Sequence, residues 1–276
     1  MTKNQSPAPA QRVVVTGSDG LIGRILLDAW RGNGRYDVVG LARKPGPYAD
    51  VIVDIRDIDG LGEAFSGADA VVHMAATSAV GSSWDAVLNS NLIGTYNVFE
   101  AARRAAVRKV VFASSNHAIG TFETEHAPDL YQLDDPHVWD ETAEIRPDSL
   151  YGVSKVYGEA MARYYVDHHG LKAHCLRIGG VRDPQDPSHP DNLWQPEFDQ
   201  DEGKLAIRRR TRAVWLSERD CVHLIECCLD SGRDWVLCYG ISNNPRRFWD
   251  IEHAREVLGY DPQDAAPEEI APGRTW

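Results

Sequence analysis

The chain has 276 residues, a formal charge of −12 at pH 7 and a pI near 5.3. That length buries a full core and argues against fusion of two complete domains, while the acidic balance argues against nucleic acid as a partner, since phosphate neutralisation needs a basic face. The five cysteines, Cys175, Cys221, Cys227, Cys228 and Cys238, show no metal-ligand spacing and most sit in apolar segments, so they read as reduced core thiols and no metal is expected.

Residues 1–10 are polar and Pro/Ala-rich and read as a disordered tail. They hold no apolar signal core, and no later run approaches the roughly 18 apolar residues of a membrane span. The expectation is a soluble, cytoplasmic protein. Arginine outnumbers lysine several-fold, which suits a salt-adapted cytoplasm. Val13-Val14-Val15 then reads as a strand that feeds the turn Thr16-Gly17-Ser18-Asp19-Gly20-Leu21-Ile22-Gly23. A helix with apolar Leu21, Ile22, Ile25, Leu26, Ala29 and Trp30 follows. Glycines in this context permit a tight turn and let the backbone approach a pyrophosphate, which rests on the positive end of the helix. Gly17, Asp19, Gly20, Leu21, Ile22 and Gly23 are therefore candidate cofactor contacts.

Tyr36–Ala42 reads as a second strand ending at Arg43-Lys44. An acid at that point would hold the ribose hydroxyls of NAD, whereas arginine pairs with the extra phosphate of NADP, so NADP is modestly favoured over NAD. Asp50–Asp54 is a third strand, bordered by Ile55. Ala68–Met74 is a fourth, followed by small residues at Ala75-Ala76 against which a cofactor can lie. His73 reads as a satisfied core histidine. A helix is expected over Trp84–Ala106, with Leu88, Leu92, Tyr96 and Phe99 inward.

Lys109–Ser114 is the fifth strand and ends in Ser115-Asn116-His117, where such sheets place chemistry. Residues 121–147 are acidic, contain proline and show little periodicity, as a functional cover or a disordered segment does. A helix from Leu150 to His169 carries Tyr151 and Lys155, whose four-residue spacing puts phenol and ammonium on one face. A tyrosine acting as general base near neutrality needs its pKa lowered by about 2 to 3 units, and Lys155 is expected to supply part of that. Ala173–Arg177 is a sixth strand. A polar stretch over Arg182–Glu202 and the run Arg208-Arg209-Arg210-Thr211-Arg212 follow, the latter able to serve a carboxylate or a doubly charged phosphate. Ser217 reads as the cap of a helix reaching Leu229, Trp235–Tyr239 as a last buried strand, and Phe248–Leu258 as a terminal helix. The fold class is α/β, a doubly wound parallel sheet of the Rossmann type. Residues 11–178 form the dinucleotide-binding domain and 179–276 a small substrate-binding portion.

Together, the glycine turn, Ser114-Ser115-Asn116-His117-Ala118-Ile119-Gly120, Pro147-Asp148-Ser149-Leu150-Tyr151-Gly152-Val153-Ser154-Lys155, Arg177-Ile178-Gly179 and Trp215-Leu216-Ser217 leading to Asp220 resemble the extended short-chain dehydrogenase/reductase family. Within it, they are similar to the uronate dehydrogenase branch and its halophilic archaeal relatives that oxidise neutral pentoses or glucose 6-phosphate. The resemblance implies NAD(P)-dependent oxidation of the C1 hemiacetal hydroxyl of a hexuronate or aldose to a lactone. Tyr151 is then the base, Ser115 its hydrogen-bonding partner on the sugar oxygen, and Lys155 the holder of the nicotinamide ribose. Ser78, Asn116 and His117 become sugar contacts, Asp54 lies beside the adenine, Asn91 ties its helix to the active-site strand, and Arg210 grips a sugar carboxylate. Two residues depart from the branch: Arg43 stands where an acid is usual, and Gly180 where a serine follows Arg-Ile-Gly. Glucose 6-phosphate or a neutral pentose is the alternative substrate, and a nucleotide-sugar epimerase or dehydratase the alternative activity, although the segment after Arg177 is short for a nucleotide-holding half. The expected partner is a small sugar, with a homo-oligomer possible and neither nucleic acid nor membrane involved.

Overall fold

The computed structural model describes residues 10–186, 189, 201–267, 269–271 and 274–275. Most of the expected tail and much of the polar stretch before Glu202 lie outside these residues. Seven parallel strands form the sheet: β1 (Gln11–Thr16), β2 (Tyr36–Ala42), β3 (Val51–Ile52), β4 (Ala70–His73), β5 (Lys109–Ser115), β6 (Lys172–Ile178) and β7 (Trp235–Gly240). Their spatial order is β3-β2-β1-β4-β5-β6-β7. The chain winds outward from β1 in both directions, so a crevice opens between the ends of β1 and β4, where strand order reverses.

Alternation along the strands divides the core between two faces. Val13, Val15 and Val72 face one side with Leu26, Leu27 and Trp30 of α1 (Leu21–Trp30), while Val14, Val71 and Phe112 face the other. That second layer comprises α2 (Ile58–Ala64), α4 (Gly94–Arg104) and, beyond them in sequence, the long helix Leu150–His169, while α3 (Trp84–Ala86) and a π-helical turn Val87–Ile93 lead into α4. The helix expected over Trp84–Ala106 is thus interrupted by a wider turn carrying Asn91.

The stretch 121–147 departs most from expectation. It holds α5 (Thr121–His126) and a 3-10 turn at Asp129–Tyr131, and its Leu130 and Tyr131 are buried with Val214, Tyr239, Ile241, Phe248 and Trp249 in a third apolar cluster. Its apolar residues are too widely spaced to show a helical period, yet they meet partners a hundred residues away. The long helix is α6 (Leu150–His169), followed by α7 (Glu202–Ala213), α8 (Glu218–Asp230) and α9 (Glu252–Leu258). Ser217 caps α8 as expected, its hydroxyl accepting the Asp220 N–H at 3.1 Å. The terminal helix begins later than expected, because Trp249 pairs with Trp139 as an isolated bridge and holds that segment extended. Among the described residues no helix is long and apolar enough to cross a membrane.

Candidate active site

The crevice is floored by the glycine turn. Gly17 adopts a φ of +73°, and a Cβ there would stand 2.8 Å from the Ala75 nitrogen, so only glycine lets β1 and β4 converge this closely. Gly20 caps α1 with no side-chain hydrogen bond, so no capping side chain occupies the start of the helix, as a pyrophosphate site requires. Two adjoining cavities open from it. One, of about 640 Å³, lies towards β2 and β3 and is lined by Asp19, Arg24, Arg43, Asp54, Ile55 and Ala75. The other, of about 660 Å³, runs over β5 and α6 and includes Leu21, Ile22, Gly23, Ser78, Tyr151 and Arg210. Every residue singled out from the sequence as a catalytic, cofactor or sugar contact lines one of the two.

Ser115 closes β5 and caps the 3-10 turn Asn116–Ile119, its hydroxyl accepting the His117 N–H at 3.3 Å. It also donates to the Asn116 side-chain oxygen at 3.3 Å. Tyr151 sits in the first turn of α6, capped by Ser149, whose hydroxyl accepts the Gly152 N–H at 3.0 Å. At Gly152 a Cβ would overlap the His117 carbonyl oxygen, so glycine brings the phenol beside the end of β5. Tyr151 is 8% exposed and its phenol lies near enough to the Ser115 side chain to be influenced by it. One turn on, the Lys155 ammonium donates to the Ala113 carbonyl at 2.7 Å and lies 5.4 Å from the Tyr151 ring centre.

The electrostatics run against one expectation. Burial pushes the Tyr151 phenol up, the Ser115 side chain pulls it down, and the nearby Asp148 carboxylate pushes it up again, with a net rise. Burial likewise lowers Lys155 to about 8, opposed by Glu159. Lys155 therefore does not bring Tyr151 towards neutrality: the largest cause of the Tyr151 shift is burial, which raises it. A base at Tyr151 would need that rise reversed by positive charge arriving with a bound cofactor.

Several supporting residues went unnoticed in the sequence. Asp148 accepts a hydrogen bond from His117 Nδ1 at 2.6 Å and one from the Ser149 hydroxyl at 2.8 Å. Burial pushes its carboxyl up, but His117 and Ser149 hold it below the usual range. An ionised Asp148 fixes the proton on Nδ1 and leaves Nε2 as the other ring nitrogen. Behind Tyr151 and Lys155, Glu159 receives two hydrogen bonds from Arg177, both at 3.0 Å, and one from the Ser114 hydroxyl. Glu159 stands four residues after Lys155, a spacing legible in the sequence. Asn91 does not reach the active-site strand. Its amide instead donates to Thr77 in the loop after β4, at 3.0 Å, and to Ser154 of α6, at 2.9 Å.

The outer wall carries Arg210 on α7. Its guanidinium is bound side-on by Glu123 of α5, a carboxylate 4% exposed that also accepts the Tyr131 hydroxyl at 3.0 Å. No signal in the sequence linked positions 87 residues apart. Arg208 and Arg212 are buried on the same helix and do not line the cleft. His73 is a buried core histidine as expected, bonded to Thr16 at 2.8 Å and held by burial at about 3. Asp54 is drawn below the usual carboxylate range by Arg56, its partner at 2.7 Å.

A family model described as the NAD dependent epimerase/dehydratase family matches residues 13–194. The chain belongs to that family. This epimerase/dehydratase-family chain is 37% identical to the NAD-dependent glucose-6-phosphate dehydrogenase of Haloferax volcanii, over 94% of its own length and 95% of the relative's. It is 36% identical to an L-arabinose 1-dehydrogenase (NAD(P)(+)) of the same organism, over 92% and 96%. Among solved structures it is similar to the uronate dehydrogenase of Agrobacterium tumefaciens, with a TM-score of 0.70 at 28% identity over 94% and 86%. The chain is an NAD(P)-dependent oxidoreductase of the sugar dehydrogenase kind, with the doubly wound sheet its sequence implied.

Proposed function

We propose that the chain oxidises the C1 hemiacetal hydroxyl of a hexuronate to the corresponding lactone. The observation that carries the reading is the convergence of Ser115, Tyr151 and Lys155 at the end of β5, beside a glycine cradle that fits a dinucleotide. The bound nicotinamide supplies the hydride acceptor. Tyr151 takes the C1 hydroxyl proton, and Ser115 donates a hydrogen bond to the oxygen as negative charge develops, where the interaction is worth most. Lys155 holds positive charge behind the phenol and is placed for the nicotinamide ribose. His117, oriented by Asp148, and Asn116 and Ser78 read ring hydroxyls, and the remaining donors of Arg210 meet the sugar carboxylate.

One feature favours a second reading, a neutral aldose. Glu123 already neutralises Arg210, which leaves that wall with donors but little net charge. For the cofactor, we propose that NADP is accepted at least as well as NAD. Arg43 lines the β2-side cavity together with Lys44 and Arg24, three cations suited to a ribose phosphate. The experiment is a panel of glucuronate, glucose 6-phosphate and L-arabinose with each cofactor, read by absorbance of the reduced nicotinamide and by lactone analysis. Turnover of glucuronate with release of reduced cofactor is expected. Turnover of the neutral sugar alone would replace the first reading by the second, and epimerisation of a nucleotide sugar without such release would sink both.

A further inference from the structure

The two arginines of the catalytic cleft differ in one respect. Arg210 is paired with Glu123, whereas Arg182 has no carboxylate partner among the described residues, and its Nε is buried without a hydrogen bond. A guanidinium partly withdrawn from water with no counter-charge is unfavourable unless an anion arrives. The neighbours of Arg182 show where that anion would lie. Gly180 is fixed by a bridge to Trp215, its N–H donating to the Val214 carbonyl at 2.7 Å. Val181 packs into the core layer that Leu21 and Ile22 join, and Asp183 approaches Arg24 of α1 at 3.9 Å. Residues 180–183 thus lead from the end of β6 towards α1, and Gly180, Val181 and Arg182 line the same cavity as Gly17, Gly20 and Gly23 of the glycine turn. That turn offers backbone N–H groups and a helix dipole but no cation of its own, and its one charged side chain, Asp19, is acidic.

We propose that Arg182 is a cofactor-binding residue that closes over the dinucleotide's diphosphate from the side opposite the glycine turn. Backbone donors hold the diphosphate from below, and the guanidinium neutralises it from above. The segment after β6 then borders both the sugar pocket and the cofactor. This rests on the cofactor site itself, so the test separates the two.

Binding of NADH, followed by its fluorescence, and of ADP-ribose, by calorimetry, is compared in wild type, Arg182→Gln and Arg182→Lys, with thermal melts to verify folding. ADP-ribose keeps the diphosphate but lacks the nicotinamide and cannot react. Arg182→Gln should weaken both ligands about tenfold or more, the scale of a lost charge-assisted hydrogen bond, and Arg182→Lys should recover part of the loss. The sugar KM at saturating cofactor should stay within about twofold. Unchanged ADP-ribose affinity in a folded Arg182→Gln protein would overturn the proposal. So would a raised KM confined to charged sugars, which would make Arg182 the substrate's anion partner. Wild-type protein that fails to bind ADP-ribose would remove the cofactor site and this proposal with it.

Discussion

Two arginine–glutamate pairs flank Tyr151, and they differ in burial and in position. Behind it, Arg177 and Glu159 are 1% and 6% exposed, joined by two hydrogen bonds and closed off by Ser114 and Tyr239. In front of it, Arg210 is 31% exposed and Glu123 4%, on two short helices of the outer wall. The inner pair links β6 to α6 and places a carboxylate one helical turn from Lys155. The outer pair has one member in the cleft and one in the core. On the proposed reading, the difference separates a fully buried pair behind Tyr151 from a wall whose charge towards the sugar depends on whether the internal counter-ion Glu123 stays in place.

The comparison can be broken at several points. The largest effect is expected at the tyrosine between the pairs. Tyr151→Phe removes only the ionisable hydroxyl and should lower kcat by about 10²- to 10⁴-fold while NADH binding persists, whereas Lys155→Ala should damage both. A phenylalanine variant retaining more than about a hundredth of the wild-type rate would remove Tyr151 as the base. Next comes the inner pair. Glu159→Ala leaves Arg177 buried without its partner and should cost about 3–5 kcal/mol in denaturant unfolding, with Lys155 titrating lower because the opposing carboxylate is gone. A loss under about 1 kcal/mol would show that water reaches the pair.

At the outer pair, Glu123→Gln should free the Arg210 charge and lower the KM for glucuronate by about three- to tenfold relative to L-arabinose, while Arg210→Ala should raise it. Equal modest changes on charged and neutral sugars would show that Arg210 is not the anion site. A pH titration tests the inner region again. Burial lowers Lys155 from its ordinary 10.5 to about 8, so the ammonium is present below about pH 8, and NADH binding should fall as pH rises past it. For folding the sign is opposite: between about 8 and 10.5 the unfolded chain holds more of this proton, so this group alone makes stability rise with pH. The smallest effect is expected far from both pairs. Arg43→Asp exchanges a phosphate partner for a ribose-hydroxyl acceptor and should shift preference several-fold towards NAD. A wild-type enzyme strictly specific for NAD would overturn the assignment.

What the amino-acid sequence determined by itself was the part that depends on near neighbours. The strand-turn-helix of Val13–Trp30, the extent of α6 and the Tyr151-to-Lys155 spacing follow from local periodicity and glycine placement, because a helix turn or a tight turn is closed by residues within about four positions. Glu159 was legible by the same rule and was passed over. Only the tertiary structure decided the rest. Residues 121–147 showed no period because their apolar side chains face distant segments rather than one another. The pairing of Glu123 with Arg210 joins two helices far apart in the chain, and Arg182 is distinguished by having no carboxylate partner among the described residues. The Tyr151 shift also belongs here: spacing put a cation near the phenol, but burial, which depends on everything packed around it, set the direction.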